Sequence, residues 1–175
     1  MKKVYYVISS LILIFTIGCA ASYHEIKKSS TPLGNFTKVT MMPINVDSFW
    51  EEHPILKDNE KWQYQVSRAS QHIEKTVTYY FEKRGQDKGT RELKVSAELF
   101  MFDPGNRALR AWFGLFGAGK GKVGYHVKLL DGETDNVISD FDAYGSISIG
   151  AFGGDIGNAY NKCAGAIIRY ILDHQ

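Results

Sequence analysis

The chain is poor in cysteine and carries almost no net charge, and both absences limit what the protein can be. It has only two cysteines, and because Cys19 closes an apolar N-terminal run, we expect no disulfide within the folded domain. The 21 basic residues exceed the 19 acidic ones by two, which Lys2 and Lys3 account for, so the rest of the chain is formally neutral. A neutral domain does not favour a nucleic-acid partner, which usually needs a clustered basic surface.

The N-terminal residues form an apolar segment that is too short to span a membrane. A basic pair precedes apolar residues 4–17, a run that falls short of the ~20 residues that cross a bilayer as a helix. The tetrad at 16–19, Thr-Ile-Gly-Cys, resembles the bacterial lipobox, in which the cysteine is acylated on sulfur and becomes the first mature residue. We therefore expect residues 1–18 to be a lipoprotein signal peptide and Cys19 to carry acyl chains such as palmitate; an ordinary secreted protein is the alternative.

The next residues have the composition of a linker. Residues 19–36 show no apolar periodicity and contain Ser29, Ser30, Pro32 and Gly34, which favour irregular structure. This composition predicts a flexible tether between the lipid and the domain. The remaining residues, 37–175, are enough for a single domain with a sizeable core.

Two stretches have the periodicity of amphipathic helices. Apolar side chains recur at three- and four-residue steps over 62–81, and Gly85 follows as a C-terminal cap. A second apolar stripe runs over 156–171, where Asp155 can cap the first turn and Cys163 lies on the buried face.

Four other stretches are predicted to be strands. The run 39–44 is short and apolar, whereas 93–101, 123–130 and 137–149 alternate between apolar and polar side chains, with Met101 on the inward side. A turn-rich link joins the last two and predicts a hairpin. The order β-α-β-β-β-α predicts an α+β fold of two layers, with two helices on one face of a mostly antiparallel sheet.

The segment between the second and third predicted strands is unusually apolar. It holds four large apolar side chains in five positions: Trp112, Phe113, Leu115 and Phe116. They are either buried under the domain's own sheet or in contact with another copy, another protein or the bilayer. The stretch 114–120 superficially matches a phosphate-binding P-loop, but Gly121 stands where Ser or Thr is needed and a strand follows, so we reject a nucleotide site.

The same segment carries basic side chains that could bind an anion. The candidate contacts are Arg107, Arg110 and Lys120. Asp103 can cap a single helical turn at this point, and pairing of the two arginines with Asp103 is the structural alternative.

Patterns typical of catalysis or metal binding are missing from the sequence. The five histidines have no paired metal-ligand spacing, and no Gly-x-Ser-x-Gly elbow occurs. Asp140 and Asp142 lie on the outward side of a predicted strand, where a solvated face is expected. We therefore expect a protein that is not an enzyme and that has no cofactor and no metal site.

Three landmarks carry a resemblance to a known family. They are DPGNRALR at 103–110, GLFGAGKGKV at 114–123 and GAFGGD at 150–155. The chain resembles a family of uncharacterised bacterial lipoproteins, domain of unknown function 4410, and the likeness extends more loosely from Lys38 to the C-terminus. Asp135-Asn136 stands where that family tends to have a Thr-Gly turn. The resemblance implies an envelope α+β domain with no assigned catalysis, akin at the level of the fold to small sheet domains of periplasmic assembly lipoproteins.

These observations lead to one expectation for function and one alternative. We expect an outer-membrane lipoprotein facing the periplasm, since Cys19 is followed by Ala20 and not by the Asp that favours inner-membrane retention. Its domain is expected to be a non-catalytic interaction or assembly module acting through the loop from Trp112 to Gly121, with a protein partner or a second copy bound there. The alternative is a periplasmic binding module for a small anionic envelope ligand.

Overall fold

The computed structural model describes residues 21–105, 121–147 and 156–175, and this part of the chain forms one five-stranded sheet with four α-helices. The strands are β1 (Ser22–Lys27), β2 (Lys38–Met41), β3 (Glu92–Asp103), β4 (Lys122–Asp131) and β5 (Val137–Ser146). The helices are α1 (Asp47–Glu52), α2 (Pro54–Lys57), α3 (Glu60–Lys83) and α4 (Gly157–Asp173). The predicted α+β fold with its two long helices is confirmed.

The sheet has the spatial order β1-β5-β4-β3-β2. The β1–β5, β5–β4 and β4–β3 pairs are antiparallel, whereas β2 runs parallel to β3. The sheet is therefore mixed, which corrects the expectation of a mostly antiparallel one. The cause is α3, because a helix between two neighbouring strands returns the chain to the end of the sheet at which the first strand began.

The predicted tether is part of the folded domain from residue 22 onward. Strand β1 pairs with β5, from Ser22 opposite Tyr144 to Lys27 opposite Asp140. Further along, Leu33 is 1% exposed, and its N–H donates to the carbonyl of His174, the residue after α4, at 2.8 Å. The prediction of a flexible tether is thus wrong for 22–36, because the free edge of β5 pairs with a segment whose own composition is polar.

Helix α3 matches the predicted helix over 62–81 and extends it by two residues at each end. The side chain of Asn59 accepts hydrogen bonds from the N–H groups of Lys61 and Trp62, at 3.1 and 3.3 Å, and Gly85 takes a positive φ of 72° after the last turn. Its buried stripe faces the sheet and consists of Val66, Ala69, Ser70, Ile73, Val77 and Phe81. None of the described helices is both long enough and apolar enough to cross a membrane.

A β-bulge changes which side chains of β3 are buried. Leu99 lies opposite Tyr125, but Met101 lies opposite Gly124, so Phe100 is the extra residue. The bulge reverses the alternation beyond it and turns Phe102 toward the helices, where it is 6% exposed. The prediction that Met101 points inward is therefore wrong.

Helix α4 packs closely on β5 through small residues. A Cβ atom placed on Gly145 would overlap the carbonyl oxygen of Ala159 and would lie 2.9 Å from the backbone nitrogen of Cys163. Cys163 is fully buried in this contact, as its predicted position on the inward face requires. The predicted capping residue Asp155 lies outside the described residues, and the described helix begins after Ile156.

Candidate functional site

The side chains that the sequence singles out for function lie outside the described residues. They are Cys19, Arg107, Arg110, Trp112, Phe113, Leu115, Phe116 and Lys120. Lipidation, the apolar interaction loop and the anion contacts therefore stay predictions. The candidate site described below comes from the part of the chain that the structure describes.

The face of the sheet opposite α3 and α4 carries polar side chains on its three central strands. Its members, called here the polar face, are Lys94, Ser96 and Glu98 of β3, His126 and Lys128 of β4, and Asp140, Asp142 and Tyr144 of β5. All of them are half-buried except Lys128, which is exposed. Alternation along each strand explains the segregation, since the intervening residues face the core.

Two carboxylates hold the imidazole of His126 at the centre of the polar face. Its Nδ1 lies 2.9 Å from Oδ1 of Asp142, and its Nε2 lies 2.9 Å from Oδ1 of Asp140 as an ion-pair contact. Asp142 is directly opposite His126 in the β4–β5 register, and Asp140 is opposite Lys128, one row further along. The three side chains are 27%, 20% and 19% exposed for His126, Asp142 and Asp140, so solvent reaches the cluster only in part.

Aromatic side chains close one end of this cluster. The hydroxyl of Tyr144 donates to Oδ2 of Asp142 at 3.1 Å, and its ring meets that of Phe100 edge-on, with 5.7 Å between centroids. Phe100 lies over Gly124, where a Cβ would come within 2.7 Å of the ring. Burial, followed by the hydrogen bond and the negative charge of Asp142, raises the pKa of Tyr144.

Acids and histidines alternate in one row across four strands. Glu98 of β3 lies opposite His126, and His24 of β1 lies opposite Asp142. Glu98 also accepts a short hydrogen bond from Ser48 in α1. Such a row presents a fixed pattern of charges and hydrogen-bonding groups, which suits recognition of another surface.

The described residues do not bring together a set of metal ligands, and their cysteine is buried. In 21–105, 121–147 and 156–175 there is no group of three His, Cys, Asp or Glu side chains with the geometry of a metal site. The one cysteine of these ranges is buried on the other side of the sheet, where burial raises the pKa of its thiol.

A groove of about 510 Å³ lies between α3 and the segment that contains α1 and α2. Its apolar lining includes Ile44, Trp50 and Val66, and its charged side chains are Lys57 and Glu74. Glu74 accepts a hydrogen bond from the backbone N–H of Ile44 at 2.7 Å, so this carboxylate helps to hold the groove in shape.

Sequence reasoning missed the contact between His126 and the two aspartates. Strand alternation places all three side chains on one face. The pairing across the hairpin is harder to predict: if it is counted outward from the turn, where the N–H of Asp131 donates to the carbonyl of Asn136, His126 comes opposite Phe141. A bulge between Leu129 and Leu130 shifts the pairing by one residue and brings Asp142 opposite His126 instead. The signal was therefore present in the hairpin and was hidden by the bulge.

Comparisons with known proteins show the family and the fold. The model of the family described as Domain of unknown function (DUF4410) matches residues 57–151. No protein of curated function matches the chain significantly.

Three of the solved structures that match the chain come from two bacteria. A PelC variant dodecamer from Paraburkholderia phytofirmans is 15% identical with a TM-score of 0.50, over 84% of this chain and 94% of that one. A second PelC dodecamer from the same organism is 12% identical, with a TM-score of 0.43 over 84% and 95% of the two chains. Protein XCC0632 from Xanthomonas campestris, of family DUF330, is 14% identical, with a TM-score of 0.35 over 59% and 57%. At these identities the likeness to PelC shows a shared fold and nothing finer.

Proposed function

The chain belongs to the DUF4410 family of domains of unknown function, and we propose that it is a lipid-anchored, non-catalytic module that assembles with further copies of itself in the bacterial cell envelope. The proposed anchor is an acylated Cys19 behind a signal peptide at 1–18. The proposed address is the outer membrane, facing the periplasm, because Ala20 follows the cysteine. Durable attachment takes two or three acyl chains, since one chain alone binds reversibly.

The polar face is the observation that carries the proposed assembly role. It sets acids beside bases in neighbouring rows: Lys128 lies opposite Asp140, and the next row holds Glu98 and Asp142 around His126. A surface with both signs of charge can complement a second copy of itself, and charge pairs of this kind set the register between partners. The PelC structure of similar fold is a dodecamer, which supports self-assembly as a use of this fold.

Membrane fractionation tests the anchor. A Cys19→Ala variant should leave the membrane fraction and lose the mass of the acyl chains, because the sulfur that would carry them is gone. Cys163→Ala is the matched control, since Cys163 is fully buried in the domain and should not affect anchoring. A Cys19→Ala protein that stays in the membrane with unchanged mass would contradict the proposal.

Cross-linking of the full chain in native membranes tests the assembly. The unchanged protein should give discrete oligomers, and Lys128→Glu should reduce them several-fold because it places a further acid beside Asp140. The control is Lys75→Glu, an equal charge reversal at an exposed position of α3. A protein that is cross-linked only as a monomer, or two variants with the same oligomer yield, would contradict a role of the polar face.

The anion-binding alternative depends on Arg107, Arg110 and Lys120, which lie outside the described residues. The described groove does not favour an anion, because its charged side chains, Lys57 and Glu74, are of opposite sign. Thermal unfolding separates the two functions: a monomer whose melting temperature rises with an added anionic ligand would favour the alternative.

A further inference from the structure

The start of strand β1 brings the fold very close to the proposed lipid. Ser22 is already paired with Tyr144, and only three residue steps separate it from Cys19. Three extended residues span at most about 11 Å, whereas the tether predicted over 19–36 could have reached about 60 Å. If Cys19 is acylated, as proposed above, the sheet begins within that short distance of the membrane surface.

Strand register shows which end of the sheet this is. Ser22 lies opposite Tyr144 near the end of β5, the last residue of β5, Ser146, lies opposite Lys122, and Lys122 lies opposite Asp103. The start of β1, the end of β5, the start of β4 and the end of β3 are therefore at one end of the sheet. This end, defined by Ser22, Asp103, Lys122 and Ser146, is called here the anchor end.

Strand β1 is held in the domain and cannot easily lengthen the link by detaching. The hydroxyl of Tyr23 donates to Asp173 at 3.1 Å, and Glu25 accepts from the hydroxyl of Tyr170 at 2.9 Å. The rings of Tyr23 and Tyr170 also meet edge-on, with 5.0 Å between centroids. All of these contacts join β1 to α4, so detaching β1 would break side-chain packing as well as the hydrogen bonds of the sheet.

Exposed apolar side chains lie near the anchor end. Trp62 in the first turn of α3 packs against Phe102 of β3, with 5.8 Å between centroids, so α3 begins at this end. Tyr64, two residues after Trp62 in α3, is 66% exposed. Ile55 of α2, just before α3, is 87% exposed. Apolar groups and tyrosines of this kind are suited to the interface of a lipid bilayer.

We infer that the domain stands with its anchor end against the lipid bilayer, and that Ile55 and Tyr64 lie on the side of the molecule nearest to the membrane. The occupant of this surface is the bilayer into which Cys19 inserts its acyl chains. The hairpin turn after β4 is at the opposite end, about 30 Å further away along the ten residues of that strand.

Depth measurements with single-cysteine labels test this orientation. The native cysteines do not interfere, because Cys19 would be acylated and Cys163 is fully buried. A fluorophore is attached to the full-length lipoprotein in vesicles of phosphatidylethanolamine and phosphatidylglycerol, and spin-labelled lipid headgroups serve as the quencher. Lys122→Cys places the label at the start of β4, and Glu133→Cys places it in the turn after β4; both positions are exposed.

A second pair of variants is matched in residue type and exposure. Tyr64→Cys and Tyr79→Cys are both on α3, where the tyrosines are 66% and 60% exposed. Fifteen residues of helix separate them by about 22 Å. Quenching should be several-fold stronger at position 122 than at 133, and at 64 than at 79.

Two results would overturn the inference while leaving the proposed function intact. One is equal or reversed quenching within the pairs in a protein whose mass shows the acyl chains. The other is stronger quenching at position 122 than at 133 without any difference between 64 and 79, because Ile55 and Tyr64 would then not lie on the side nearest to the membrane. An unacylated Cys19 would instead overturn the anchoring proposal and this inference together.

Discussion

Replacing Gly145 by alanine should destabilise the domain strongly, because the backbone of α4 occupies the space that the new methyl group needs. A Cβ at this position would overlap the carbonyl oxygen of Ala159 and would lie 2.8 Å from its carbonyl carbon and 2.9 Å from the nitrogen of Cys163. These atoms belong to the helix backbone, so no side-chain rotation can remove the contact. The helix would have to move away from β5.

The size of the effect follows from that displacement. Non-bonded carbon contacts are comfortable at about 3.5–4.0 Å, so α4 would have to shift by about 1 Å or more, and the neighbours that move with it, Ala159 and Cys163, are fully buried. Overpacking of a well-packed core costs about 1–3 kcal/mol, and contact with backbone favours the upper limit. A loss of about 3 kcal/mol is a large part of a total stability of about 5–15 kcal/mol.

Urea unfolding followed by circular dichroism measures this loss, and Gly165→Ala on the same helix is the matched control. At Gly165 the nearest atom to a new Cβ is the Cβ of Ala21 at 4.0 Å, so the methyl group fits. Alanine is the better helix former, and the control should gain about 0.5–1 kcal/mol. The reasoning would be refuted by a Gly145→Ala variant whose free energy of unfolding is within about 1 kcal/mol of the unchanged protein.

Three further predictions concern titratable groups. Burial raises the pKa of Tyr170 from its ordinary 10.0 to about 12. Because the unfolded chain loses this proton at a lower pH than the folded protein, the urea midpoint should decrease as the pH rises from 10 to 12. The decrease should be smaller in Tyr170→Phe. A hydrogen bond from Lys38 lowers the pKa of Glu92, so stability should decline as acid protonates this carboxylate, and Glu92→Gln should weaken that decline. The buried thiol of Cys163 has a raised pKa, so a thiol reagent should modify it at once in urea but only slowly in the native protein.

The helices were predictable from the sequence because their signal repeats. About four turns of α3 bury residues at three- and four-residue steps, from Val66 to Phe81, so a few irregular positions do not hide the pattern. Strand β1 has no such repetition. It is a six-residue edge strand in which only Tyr23 is half-buried and the other five residues are exposed, so its sequence resembles that of a linker.

The two bulges limited what could be predicted for side chains. The bulge at Phe100 depends on tertiary packing, because it places Phe102 between Trp62 and Tyr160 of the two long helices, with centroid distances of 5.8 and 6.4 Å. The sequence of β3 alone does not predict a bulge at Phe100. In the same way, strand alternation predicts that His126 faces outward, but its contact with Asp142 needs a shift in register that only the assembled sheet supplies.

The inferred orientation of the anchor end is compatible with assembly through the polar face. The strands lead away from the anchor end, so the polar face around His126 runs along the side of the domain and not beneath it. Neighbouring copies on one membrane would then meet side by side, where charged rows such as Lys128 and Asp140 can contact each other. The proposed confinement to a membrane would also raise the effective concentration of copies, so a weak, charge-patterned contact would be enough for assembly. The proposed lipid, held close to the fold, would therefore favour the proposed assembly more than a long tether would, because it would restrict orientation as well as position.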